Sequence, residues 1–131
     1  MVDGPSIIPA MQGLPLEIYS VDSVRAIDRR AIEQAGIAGY TLMTRAGEFA
    51  VREILRSFPR CRRWQIVCGP GNNGGDGYVV ARAAREAGMP VSVYSVAGSE
   101  QLAGDAARAC REWLAAGGSA QVTASETRLP R

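Results

Sequence analysis

The first third of the chain carries apolar residues at helical spacing. One set follows Ser20 and Asp22, either of which can cap a helix, and Gly36 marks its end. Its members are Val24, Ile27, Ala31, Ile32 and Ala35. A second set predicts a helix over about 41–57 and consists of Leu42, Ala46, Phe49, Ala50 and Ile54. Both sets predict amphipathic helices that face a core.

After residue 59 the pattern changes to short apolar runs that alternate with helical segments. Trp64–Cys68, Val91–Val96 and Ala120–Val122 are typical of buried strands. Helices are predicted over Tyr78–Ala87 and about 102–114. The first of these carries its small apolar side chains on one side, at Val80, Ala83, Ala84 and Ala87. Strands alternating with helices indicate a Rossmann-like α/β fold, a parallel sheet covered by helices.

Composition narrows the possible functions. The 131 residues suffice for one compact core. The 15 basic residues are all arginine and are interleaved with 13 acidic ones, so we expect no nucleic-acid partner. Histidine and lysine are absent, which excludes a Ser-His or Cys-His nucleophile pair and a P-loop lysine within this sequence.

The cysteines and the amino-terminal segment bear on cellular location. Cys61, Cys68 and Cys110 match neither a zinc motif nor a Cys-x-x-Cys pair, so we expect reduced thiols and a cytoplasmic protein. No apolar run approaches the roughly twenty residues that span a bilayer, and we expect no membrane association. Residues 1–18 contain several prolines and are interpreted as a flexible arm preceding a domain over 19–131.

A glycine-rich segment follows the first predicted strand. Gly69–Gly74 satisfies G-x-G-x-x-G, but the acid that a dinucleotide site needs after the second strand is missing, since Glu100 comes too late. A nicotinamide-dependent dehydrogenase is therefore disfavoured. Gly75 and Asp76 stand where a P-loop has Lys-Ser/Thr, so that alternative is weaker still.

The chemistry of Asn72–Asp76 suggests a different ligand. The two amides offer carbonyl oxygens and N–H donors, glycines let a ligand approach the backbone, and Asp76 adds a carboxylate. Such a segment suits a polar ligand or a hard cation. In the structural alternative, the asparagines occupy left-handed turn positions and Asp76 caps the following helix.

The segment Gly69-Pro-Gly-Asn-Asn-Gly-Gly-Asp-Gly-Tyr78-Val-Val-Ala-Arg82 resembles the signature of the NAD(P)HX epimerases, the YjeF N-terminal domain. The resemblance extends over about Tyr19 to Val122. It includes Asp28-Arg29, Gly36-Ile37-Ala-Gly39, Ala46-Gly47 and Gly104-Asp105-Ala106.

The resemblance implies repair of damaged nicotinamide cofactor. Members of this family interconvert the R and S forms of hydrated NADH and NADPH for an ADP- or ATP-dependent dehydratase, which can lie on the same polypeptide. By the resemblance, Asn72, Asn73, Gly74, Gly75 and Asp76 contact the hydrated cofactor, and Asn73 also binds a potassium ion. It further implies a homodimer.

The family also continues beyond the segments found here. Its Asp-Ala-Leu-Leu-Gly-Thr-Gly-like and Asp-x-Pro-Ser-Gly-like segments, which carry the catalytic aspartate and further potassium ligands, have no counterpart in residues 1–131. We therefore expect a sheet truncated after about three strands and a fragment inactive alone, with the catalytic residue unknown. The alternative is a noncatalytic nucleotide-binding or dimerisation module.

Overall fold

The computed structural model describes residues 17–96 and 98–123. Most of the arm predicted for residues 1–18 lies outside the described residues, and the predicted boundary at residue 19 stays a prediction. The described residues fall into two units, one that ends at Gly36 and one that begins at Ile37.

The described part of the first unit contains helix α1 (Val21–Glu33). Ser20 is its N-cap and accepts a hydrogen bond from the Ser23 N–H at 3.2 Å, as the sequence allowed. Gly36 beyond the helix has φ +65°, which favours glycine. The prediction of a core-facing helix is wrong, because α1 has no buried residue and Ile27 is 53% exposed. A single helix offers no second apolar surface against which its own apolar side can be buried.

The second unit contains a parallel sheet in the order β1-β2-β3. Its strands are β1 (Trp64–Cys68), β2 (Val91–Ser95) and β3 (Ala120–Val122), the second ending one residue earlier than predicted. Trp64 pairs with Val91, and Val93 pairs with Ala120. The predicted Rossmann-like α/β fold is confirmed.

Three helices accompany the sheet: α2 (Gly39–Ser57), α3 (Asn72–Glu86) and α4 (Gly104–Ala115). A short 3₁₀ helix, Ser99–Gln101, follows β2. The main core lies among α2, α3, α4 and the sheet, and is formed by Tyr40, Cys68, Tyr78, Val79, Ala81, Val93, Leu102, Ala106, Ala109, Cys110 and Trp113. No helix in the described part of the chain is long and apolar enough to cross a membrane.

The buried face of α2 differs from the predicted one. Tyr40, Gly47 and Val51 are buried, whereas Phe49 is 48% exposed. A Cβ added at Gly47 would lie 2.6 Å from Cγ1 of Val79, so α3 approaches α2 at this glycine. The prediction rested on apolar side chains such as Phe49 and took no account of Gly47. The predicted face was therefore rotated away from the true contact. In α3, Ala84 of the predicted face is buried, but so are Val79 and Ala81 outside that face, and Ala87, the C-cap, is exposed.

Candidate functional site at the amino end of α3

The segment Asn72–Asp76 is helical in the structure. Helix α3 begins at Asn72, not at Tyr78 as predicted, and Gly71 is its N-cap. The N–H groups of Gly74 and Gly75 donate to the Gly71 carbonyl at 2.9 and 3.4 Å, which closes the first turn. Asparagine and glycine are poor helix formers, so propensity alone placed the start of the helix too late.

Two details of the structural alternative are therefore wrong. Gly71 occupies the N-cap position, and Asp76 lies beyond the first turn of α3 with a half-buried side chain. Neither Asn72 nor Asn73 is left-handed, because every positive φ among the described residues belongs to a glycine outside this segment.

The glycines of the segment permit close approach. A Cβ at Gly74 would overlap the carbonyl oxygen of Gly69, and a Cβ at Gly75 would lie 2.8 Å from the Cα of Ala106 in α4. Both glycines are buried. They seat the amino end of α3 against the chain leaving β1 and against α4, which fixes the direction of the first helical turn.

The two asparagines present polar groups to solvent at this fixed end. Asn72 and Asn73 are exposed and occupy the first two positions of α3. Backbone N–H groups at these positions have no acceptor within a helix, and together with the helix dipole they favour an anionic group such as a phosphate. The amide side chains add donors and acceptors for hydroxyl or carboxamide groups. Since α3 follows β1 directly, these groups lie at the carboxyl end of the sheet, where ligands of open α/β sheets bind.

Buried groups behind the turn hold the strand ends in place. The Tyr78 hydroxyl donates to the Ser95 hydroxyl at 3.2 Å, and both side chains are buried. Burial raises the pKa of Tyr78 to about 12. Burial, and secondarily the neighbouring Cys110, raise the pKa of the Cys68 thiol to about 12. Neither group ionises near neutral pH, so both are structural. The Tyr78–Ser95 contact was not predictable from the sequence, because nothing in the spacing pairs these residues.

The donor chemistry of the turn is compatible with a monovalent cation. No group of three or more Cys, Asp or Glu side chains in the described part of the chain is arranged to hold a metal ion. Asn73 instead offers an exposed neutral amide oxygen, the ligand type that hard, weakly hydrated cations accept. One amide is not a complete site, so further ligands would have to come from elsewhere.

The end of β2 lacks the acid of a dinucleotide site, as the sequence indicated. Ser95 is the last residue of β2, and Glu100 lies in the following 3₁₀ helix with an exposed side chain. The structure thus brings Asn72–Asp76 together at the amino end of α3, but it places no ribose-binding carboxylate at the neighbouring strand end.

Comparison with known proteins gives a family match. The model of the family described as YjeF-related protein N-terminus matches residues 39–131. Among curated proteins, the chain is 41% identical over 105 residues to the bifunctional NAD(P)H-hydrate repair enzyme Nnr of Escherichia coli, covering 80% of this chain and 20% of that protein. It is 37% identical over 116 residues to the NAD(P)H-hydrate epimerase of Rhodobacter capsulatus, covering 83% of this chain and 55% of that protein.

A third relative is the NAD(P)H-hydrate epimerase of Pirellula staleyi, 43% identical over 90 residues, which are 69% of this chain and 39% of that protein. The chain therefore spans about a fifth of the bifunctional relative from E. coli and about half or less of the two epimerases.

Proposed function

The chain belongs to the family of YjeF-related N-terminal domains, and from that premise we propose that it takes part in epimerising the R and S forms of hydrated NADH and NADPH. Relatives that carry the name NAD(P)H-hydrate epimerase support this proposal. The structural observation that carries it is the turn Asn72–Asp76, which displays unpaired amides and backbone donors at the carboxyl end of a parallel sheet.

The turn offers separate groups for different parts of a hydrated dinucleotide. The first N–H groups of α3, at Asn72 and Asn73, suit the negative charge of a pyrophosphate. Gly74 and Gly75 allow the first turn of α3 to pack closely against Gly69 and Ala106, which fixes the direction of the helix end that would face the ligand. Asp76 supplies a carboxylate that accepts hydrogen bonds from hydroxyls more strongly than a neutral group would.

Potassium is proposed as the cofactor. Asn73 would contribute a neutral oxygen ligand, and the ion would supply positive charge beside the anionic substrate. We assign no catalytic residue within Asn72–Asp76.

We propose the remaining partners on narrower grounds. Bifunctional repair enzymes among the relatives support a functional link to an ADP- or ATP-dependent NAD(P)HX dehydratase, on the same or another polypeptide. The exposed apolar side chains of α1, including Val24 and Ile27, provide a surface for a homodimer.

We propose a cytoplasmic location, since three free cysteines are consistent with a reducing environment.

The Asp76→Asn variant of the full-length protein tests the substrate site. We expect kcat/KM for epimerisation to fall about tenfold, because a charged acceptor is replaced by a neutral one, equivalent to about 1.4 kcal/mol. Chromatography of the two epimers measures the rate, and a thermal melt should stay within a few degrees of wild type.

Asp105 provides a matched control, since it is also a half-buried aspartate near the amino end of a helix, α4. Asp105→Asn should leave the epimerisation rate unchanged. Equal rates for wild type and Asp76→Asn would remove Asp76 from the substrate site, and absence of epimerisation by the wild-type protein would overturn the proposed function itself.

A further inference from the structure

A cavity lies where α2 ends and the chain turns towards β1. It has a volume of about 460 Å³ and is lined by Ile54, Ser57, Phe58, Pro59, Arg60 and Cys61. This volume falls within the range of about 300–1,000 Å³ typical of small-molecule pockets. The lining is almost entirely carbon, and it contributes two large apolar side chains, Ile54 and Phe58, of which Phe58 is 47% exposed.

Two backbone hydrogen bonds fix the chain between α2 and β1. The Phe58 N–H donates to the Ile54 carbonyl at 2.8 Å, and the Cys61 N–H donates to the Phe58 carbonyl at 2.9 Å. Ile54 and Cys61 also pack against the buried cluster that contains Val51 and Trp64. The floor of the cavity is thus anchored in the core, whereas its rim faces solvent.

The cavity is separate from the turn proposed to bind hydrated cofactor. Cys61 precedes β1, and Asn72 follows it. The five residues of β1 span about 16 Å at roughly 3.3 Å per residue. A ligand in the cavity therefore lies at the opposite end of the strand.

The rim of the cavity is positively charged. Arg60 lines it, and Arg62 and Arg63 follow in the exposed chain that enters β1. Neither Arg60 nor Arg62 forms an ion pair within the described residues. The acid nearest in sequence on α2, Glu53, is already paired with Arg56 at 2.7 Å. An apolar cavity with the guanidinium group of Arg60 at its mouth attracts a ligand with an apolar body and an anionic head.

We propose that this cavity binds a single-chain amphiphile with a carboxylate head, of the fatty-acid class. The alkyl chain occupies the space between Ile54 and Phe58, and the carboxylate lies at the rim within reach of Arg60. The arginine guanidinium suits a carboxylate, with which it forms paired hydrogen bonds. A small molecule is favoured over a protein partner because the apolar surface is concave and of ligand size.

Calorimetric titration of the full-length protein with decanoate tests the proposal, with decanol as the uncharged comparison. We expect saturable binding of decanoate that is tighter than that of decanol and weakens with added salt. Shortening the alkyl chain of the carboxylate should weaken its binding about fourfold per methylene, which corresponds to about 0.8 kcal/mol of transfer free energy.

Two variants and one matched control locate the binding. Arg60→Glu should weaken decanoate binding about tenfold, because an attractive contact becomes repulsive. Ser57→Phe should abolish it by filling the cavity. Arg111→Glu, at an exposed arginine on α4, makes the same charge change away from the cavity and should have no effect.

Thiol alkylation gives a second readout that does not depend on the variants. Cys61 is half-buried and lines the cavity, whereas Cys68 and Cys110 are buried. Iodoacetamide should therefore modify Cys61 first, and decanoate should slow this reaction.

Several results would overturn the proposal. The first is that decanoate does not bind saturably, and the second is that decanol binds with equal affinity. The third is that NADH displaces decanoate, which would place the decanoate in the cofactor site. Self-association that Ser57→Phe disrupts, in a protein that does not bind decanoate, would assign the face to a second copy of the chain instead.

Discussion

The Tyr40 hydroxyl donates a 2.6 Å hydrogen bond to Oε2 of Glu112, across 72 residues of sequence. The bond joins α2 to α4. Arg108 pairs with the same carboxylate at 3.0 Å and stacks over the Tyr40 ring at 3.9 Å, and Arg82 of α3 approaches it to 3.7 Å. A single carboxylate therefore connects the three helices that pack around the main core.

Tyr40→Phe should destabilise the full-length protein by about 1–2 kcal/mol, because a hydrogen bond to a charged acceptor is lost. The Tyr40 hydrogen bond is the first cause that lowers the pKa of Glu112. Because the pKa of Glu112 is lower in the folded state, its carboxylate stabilises the fold at pH values above the ordinary pKa of 4.5. This contribution is lost as the pH falls through the lowered pKa. Urea denaturation at decreasing pH should therefore show a smaller loss of unfolding free energy in Tyr40→Phe than in wild type.

The exposed Tyr19 provides the control, and Tyr19→Phe should change neither the midpoint nor its pH dependence. Equal stability of wild type and Tyr40→Phe at pH 7 would show that the Arg108 and Arg82 contacts suffice to hold Glu112.

Gly74→Ala should disrupt the amino end of α3. The new methyl group would overlap the backbone oxygen of Gly69, which cannot move without displacing the chain after β1. We expect a loss of about 3 kcal/mol or more, at the upper end of overpacking costs. Thermal melts of the full-length protein measure it.

Gly71→Ala is the matched substitution in the same segment. A Cβ there meets nothing within 4 Å, and its φ of −94° suits any residue. We expect a cost below about 1 kcal/mol, since only the N-cap preference changes. Similar losses for the two variants would contradict the close-approach explanation.

Asn73→Leu should raise the potassium concentration needed for half-maximal epimerisation about tenfold, because water only partly replaces the lost amide oxygen, an effect of about 1.4 kcal/mol. Rates measured in increasing KCl at constant ionic strength give this value. Asn72→Leu, at the adjacent exposed amide, should alter the substrate KM without this shift. An unchanged potassium response in Asn73→Leu would remove Asn73 as a ligand.

The stability of the protein should fall at high pH. The pKa of Cys68 is raised from 9.0 to about 12, so the folded state keeps a proton that the unfolded chain loses. The resulting stabilisation is complete below about pH 9 and disappears as pH rises to about 12. Tyr78 contributes in the same direction between pH 10 and about 12.

In Cys68→Ala the melting temperature should therefore decline less between pH 8 and pH 10.5 than in wild type. Cys61→Ala removes a half-buried thiol and serves as the control. The same decline in wild type and Cys68→Ala would show that other groups govern the alkaline transition.

Most of the fold was predictable because strands and helices carry different apolar periods. The bounds of β1 and β3 agree with the prediction, since each is a compact apolar run bounded by turn residues or glycine. The face of α2 and the start of α3 were not predictable from apolar periodicity. Both depend on glycines, Gly47 and Gly74, whose importance comes from what lies opposite them in space.

The candidate site was predictable in its chemistry but not in its geometry. Amides, glycines and one carboxylate within Asn72–Asp76 indicated a polar ligand. That these residues form a helical turn follows from the contacts of Gly74 and Gly75 with Gly69 and α4, which the sequence does not display. The roles of Asn73 and Asp76 towards potassium and substrate stay predictions.

The close contacts made by glycine also determine how this domain can change by mutation. Gly47 of α2 contacts the Val79 side chain of α3, and a Cβ at Gly77 of α3 would lie 2.7 Å from the Cys68 sulfur, so in each of these two contacts one residue has no side chain. At such positions no single substitution is small enough, and an acceptable change requires a second one across the contact. A random mutagenesis library should therefore retain variation at exposed arginines but lose nearly every variant at these two glycines.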